Sequence, residues 1–231
     1  MLRNAVAVLL VASLAFGLAV TRRWIALPDD WNPRAALDIR AQPNLLTRYK
    51  LSRLTADPQA CRAVLATATM QFEPLADRVT GEHCGFFNAV RIDRTTSAVN
   101  APFSLSCPAA VSLALWEYHV LQPAAHAHFD APVTRLEHFG SYACRNVDGR
   151  EDARRSQHAT AEALDVAGFV IGGSRRIRVL GDWEGDDEEA RFLRDVRGGA
   201  CRFFDGVLSP DYNDSHHDHF HLDRGRFRIC R

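Results

Sequence analysis

Four histidines crowd into six residues near the C-terminal end, as His216, His217, His219 and His221 with Asp218 and Phe220 between them. If the stretch His217 to Asp223 is a strand, its period of two puts His217, His219 and His221 on one face and Phe220 and Leu222 on the other. Imidazoles on one buried face carry unsatisfied nitrogens unless something accepts their lone pairs, and a divalent metal is the usual acceptor. A second cluster, Ser156-Gln157-His158, is followed seven residues after the histidine by Asp165, inside SQHATAEALD. That carboxylate sits in an apolar strand, where a bound cation would neutralise it. Two histidines and one aspartate from separate segments make a three-ligand set with an open fourth position, the pattern of catalytic rather than structural zinc. Water in that position is acidified toward pKa ~7. Its proton needs a base, and His219, two residues before His221, is placed to be one.

The elements that must carry these residues can be read from periodicity. Asp57-Pro58 opens a helix to about Thr69, and Pro108 opens another to about Val120. From Val133 the period becomes two, and Ala163 to Ile171 and Arg176 to Leu180 form a hairpin across Gly172-Gly173-Ser174-Arg175. Asp186 to Glu189 begin a helix that buries Phe192, Leu193 and Val196 and is expected to stop at Gly198-Gly199. Helices first, then hairpins with one inserted helix, argue an α+β fold. Outside the two clusters, His126 and His128 are read as surface residues, and Asp218 and Asp223 as solvated charges at the ends of a strand.

The chain of 231 residues balances 28 basic against 28 acidic side chains, which excludes a nucleic-acid-binding surface, and its 47% hydrophobic content excludes wholesale disorder. Ala5 to Val20 is uncharged and is followed by Arg22, Arg23 and Trp24, so residues 1–24 are expected to be a membrane anchor, with cleavage after Ala19 as the alternative. Residues 25–50, rich in proline and charge, are expected to tether a domain spanning 51–231. Six cysteines without a C-x-x-C pair predict up to three disulfides in an oxidising space such as the periplasm. Fifteen pairings are possible, of which Cys201 with Cys230 would fasten the C-terminal end.

His158 and Asp165 as H-x6-D, with His219 and His221 as H-x-H, resemble the D-alanyl-D-alanine carboxypeptidase and murein endopeptidase group of zinc peptidases, which share a fold with the hedgehog signalling domain. FGSYACRN (Phe139 to Asn146), SQHATAEALDVAGF, VLSPDYN and HDHFHLD are similar to the bacterial extensin-like proteins, over roughly Cys61 to Arg231. The resemblance implies a small antiparallel sheet with helices packed on one side. It further implies zinc on His158, Asp165 and His221, His219 as general base, and Arg145 holding a substrate carboxylate or the oxyanion. The function it implies is hydrolysis of amide bonds in cell-wall peptidoglycan peptides. The alternative is a catalytically inactive, zinc-stabilised module that binds wall peptide or a protein partner.

Overall fold

The computed structural model describes residues 2–21, 27–225 and 227–231. The first helix is Leu2–Thr21 (α1), and its Val6, Val8, Leu9, Leu10, Val11 and Leu14 are exposed. Among the described residues no helix is long and apolar enough to cross a membrane, so the expected membrane-crossing segment finds no support here. Its flank Arg22, Arg23 and Trp24 lies outside the described residues.

The stretch expected to be a tether is packed onto the domain. Leu37 and Ile39 join the core, and Asn44 caps Leu45–Arg53 (α2) through a capping box with Thr47. The Lys50 ammonium donates to the Asp29 carbonyl at 2.6 Å. Pro58–Leu65 (α3) begins as expected, with the Asp57 carboxylate accepting from the Ala60 amide and proline in the first turn.

Short strands follow: Gln71–Pro74 (β1), Arg78–Gly81 (β2), Cys84–Phe86 (β3), Ala89–Arg94 (β4), Ala98–Val99 (β5) and Phe103–Ser106 (β6). β1, β4 and β6 form a three-stranded sheet, and β2 pairs with β3. Cys107–Trp116 (α4) is buried along its whole length and passes through a π turn, Glu117–Leu121, into Gln122–Phe129 (α5). Val133–Gly140 (β7), Ala163–Ile171 (β8) and Arg175–Arg178 (β9) come next, then a single turn Val179–Asp182 (α6) and the helix Glu188–Ala200 (α7). Gly206–Leu208 (β10), Phe220–Asp223 (β11) and Ile229–Cys230 (β12) complete the chain.

The main sheet has seven strands in the order β12-β10-β11-β8-β7-β5, with β9 also on β8. The architecture is α+β, as periodicity implied, although the sheet is mixed: β10 with β12 and β5 with β7 are parallel. On β8, Leu164, Val166, Phe169 and Ile171 join the helix-packed core, while Asp165 and Ala167 are less buried. Along β8 the partner changes from β11 to β9 near Gly168, where a Cβ would stand 2.4 Å from the Ile177 carbonyl oxygen. All six cysteines pair, as Cys61–Cys107, Cys84–Cys144 and Cys201–Cys230.

Two local readings are corrected. Gly198 and Gly199 lie inside α7 and do not end it, because Gly199 is a packing position: a Cβ there would be 2.3 Å from Val120 Cγ1. His128 is not a free surface residue, since its Nδ1 meets Glu188 at 2.6 Å and its Nε2 meets Asp195 at 2.8 Å, tying α5 to α7. Burial lowers its pKa, but the bonds to Asp195 and Glu188 outweigh that and raise it. The π turn also holds a buried acid. Glu117 is fully buried there, accepting from the Thr95 hydroxyl at 2.5 Å and the Thr96 amide at 3.1 Å, and burial pushes its pKa up to about 7 despite those bonds.

Gly199→Ala should therefore overpack the α7 contact with Val120 and cost about 1–3 kcal/mol in denaturant unfolding. Glu117 binds its proton more tightly folded than unfolded, so stability falls as pH rises from the unfolded carboxylate range through about 7. Glu117→Gln, whose amide can use the same Thr95 and Thr96 partners, should match wild type near pH 4. Near pH 8 it should gain roughly 3 kcal/mol, read from urea midpoints at the two pH values.

Candidate metal centre

Sheet register builds the centre. β11 runs antiparallel to β8 with His221 opposite Asp165, Phe220 opposite Val166 and Leu222 opposite Leu164. Alternation sends Phe220 and Leu222 into the core and leaves His221 beside Asp165 on the other face. His158 arrives from a 3₁₀ turn, Gln157–Thr160, that starts where the Ser156 hydroxyl accepts from the His158 amide at 3.3 Å. Ala161 closes that turn in the left-handed region, at φ 55°, and its amide returns to the His158 carbonyl. The chain is thus folded back on itself within seven residues, and His158 reaches the aspartate that follows it.

The three side chains converge tightly. His158 Nε2 is 3.1 Å from Asp165 Oδ1 and 3.2 Å from His221 Nδ1, and His221 Nδ1 is 3.0 Å from Asp165 Oδ1. Two nitrogens and one oxygen form a nearly equilateral triangle. Ligands about 2.0–2.1 Å from a tetrahedral ion stand roughly 3.3–3.4 Å apart, so these atoms could hold one metal ion with little movement. Both histidines are buried and the Asp165 side chain is only 14% exposed, so the donors are also shielded from water.

Electrostatics tie the triad together. Burial alone would raise the Asp165 pKa, but hydrogen bonds and attraction from His158 and His221 hold it far below the usual carboxylate range. Burial would lower the His221 pKa, yet Asp165 on one side and Asp223 on the other push it up to about 9. The half-buried His216 goes the opposite way, to about 4, through burial and then repulsion from His221 and His219.

His219 precedes β11, and its ring still faces the centre, with Nε2 3.5 Å from Asp165 Oδ1. Its Nδ1 lies 2.8 Å from Asp218 Oδ1, and Phe139 stands edge-on to the ring at 5.8 Å between centroids. His217 does not share this face. The segment turns through Asp214–His216 and only becomes a strand at Phe220, so His217 is exposed and bonds the Asp214 carbonyl. Arg145 is exposed on the wall of the cleft that contains the triad, one residue after Cys144 of the Cys84–Cys144 disulfide. The cleft has a volume of about 1050 Å³, and Arg154, Tyr212 and Arg228 line it as well.

Neither Asp218 nor Asp223 is a solvated strand-end charge. Asp218 meets His219, and Asp223 Oδ2 lies 3.0 Å from His221 Nε2 with its side chain 13% exposed. The signal for Asp223 was available, because it stands two residues after His221 on the same strand face. Nothing in the local pattern marked Arg154 or Arg228, which reach the cleft through loops.

Residues 59–231 match the family model described as extensin-like protein C-terminus. The chain belongs to the extensin-like C-terminal family. No curated protein and no solved structure matches it. The matched region of this extensin-like domain contains all three triad residues, His219, Arg145 and every disulfide. It coincides with the extent of the sequence resemblance to within two residues at its start.

Proposed function

We propose that this extensin-like domain is a zinc-dependent hydrolase of peptide amide bonds in cell-wall peptidoglycan, related in fold and chemistry to the hedgehog and D,D-peptidase group. The observation that carries the reading is the triangle of His158 Nε2, Asp165 Oδ1 and His221 Nδ1, with His219 Nε2 beside it, in one large cleft. Two imidazoles and a carboxylate suit zinc, which when bound supplies Lewis acidity toward water and toward a substrate carbonyl.

The chain's own residues supply the remainder. Asp218 accepts from Nδ1–H of His219, which leaves the Nε2 lone pair facing the centre to take a proton from the attacking water. The same nitrogen then returns that proton to the leaving amine. Arg145, on the cleft wall, holds a substrate carboxylate or the negative charge that develops on the carbonyl oxygen. Arg154 and Arg228 join Arg145 in a lining that also holds Asp148, and these guanidinium groups are in keeping with peptides that carry several carboxylates. Three disulfides support an oxidising compartment, and we place the domain in the periplasm.

The test is digestion of purified peptidoglycan by zinc-loaded protein, followed by separation of the muropeptides. New free amines should appear with wild type and vanish with chelator or with His221→Ala. His219→Ala should keep its zinc and lose about 10²–10⁴ in turnover. Unchanged muropeptides from zinc-loaded wild type would sink the hydrolase reading in favour of a binding module.

A further inference from the structure

We infer that Asp223 is a positioning residue, whose carboxylate fixes the tautomer of His221 so that Nδ1 presents a free lone pair to the metal position it shares with His158 and Asp165. The inference rests on the metal reading above and concerns residues outside the triad. A neutral imidazole has one N–H and one lone pair, and which nitrogen binds a metal is set by the bond the other makes. Here Nδ1 faces the triad, while Nε2 lies 3.0 Å from Asp223 Oδ2. The second carboxylate oxygen is also committed, since Oδ1 accepts from the Gly225 amide at 2.6 Å. With both oxygens acting as acceptors, the only role left to His221 Nε2 is donor.

The backbone makes room for this carboxylate at two glycines. Gly206 on β10 is the register partner of Asp223, and a Cβ there would be 2.2 Å from Asp223 Oδ2. A Cβ on Gly225 would stand 2.8 Å from Oδ1 and 2.7 Å from Gln157 Nε2. Neither glycine has φ in the left-handed region, so close approach to the carboxylate, not backbone conformation, is what calls for glycine.

This arrangement separates positioning from mere packing. In Asp223→Asn the Gly225 amide can only donate, so it claims the single amide oxygen and turns the side-chain NH₂ toward His221. The imidazole must then accept at Nε2 and carry its hydrogen on Nδ1, the atom the metal needs. Asp223→Ala imposes no tautomer. The near-isosteric change should therefore do more harm than the truncation, which is the reverse of what a packing role would give.

The experiment measures zinc affinity by competition with a chromophoric chelator at about pH 9.5, where proton competition at ordinary imidazoles is small. Asp223→Asn should lose 10- to 100-fold relative to wild type. Asp223→Ala and Gly206→Ala should fall between the two, with thermal midpoints confirming that each is folded. Should a variant fail to fold, long-range ¹H–¹⁵N NMR of zinc-loaded wild type decides the matter, because the hydrogen on His221 Nε2, held by Asp223, must be shifted downfield and slow to exchange. Wild-type affinity in Asp223→Asn, a loss no greater than that of Asp223→Ala, or a freely exchanging hydrogen on His221 Nε2 would overturn the positioning role. A wild type that binds no zinc would instead overturn the metal reading beneath it.

Discussion

The pairing of Asp165 on β8 with His221 on β11 is the contact from which the site follows. Side chains alternate along both strands, so a slip of one residue would turn His221 into the core and bring Phe220 or Leu222 to the site. What prevents the slip is hydrophobic. Leu164, Val166, Phe220 and Leu222 are all essentially fully buried, and burying each such side chain is worth about 1.5–3 kcal/mol. Several kilocalories of ordinary core packing thus hold two polar side chains within 3.0 Å on the other side of the sheet.

Placing so many ionisable groups together in a shielded site is costly unless each has partners. Asp165 is surrounded by three imidazoles, and His221 lies between two carboxylates. Asp223 is in turn bonded by a backbone amide, and Arg224 beside it is paired with Asp205 at 3.0 Å. Acidic and basic groups alternate outward from the centre. Such a network resists the loss of any one member, since removing a partner leaves a buried charge uncompensated.

Much of this arrangement was legible in the sequence because it follows short periods. β8 and its hairpin, the helix caps at Asp57 and Asp187, and the spacing of His158 from Asp165 are all local signals. The misreadings share a physical origin in tertiary contact. Leu37 and Ile39 show no helical or strand period, yet they reach the core because α2 and the π turn beside them offer an apolar surface and a partner, His119, whose Nε2 meets the Ile39 carbonyl at 2.8 Å. Gly198-Gly199 looks like a helix stop, but Val120 approaches so closely that a Cβ at 199 would have to displace it. Alternation would put His217 on the strand face, but the strand begins only at Phe220, three residues later, because the turn through Asp214–His216 breaks the period. Asp223 was undervalued for the opposite reason, since the same alternation would have found it.

The two faces of β8 and β11 answer to different demands. Residues facing the helices determine whether the domain folds, and those facing the cleft determine what it can do. A lineage could exchange exposed residues of the cleft wall such as Arg145 or Tyr212 and keep its core, its three disulfides and its buried triad intact. A change in what the cleft accepts is therefore structurally easy for this architecture.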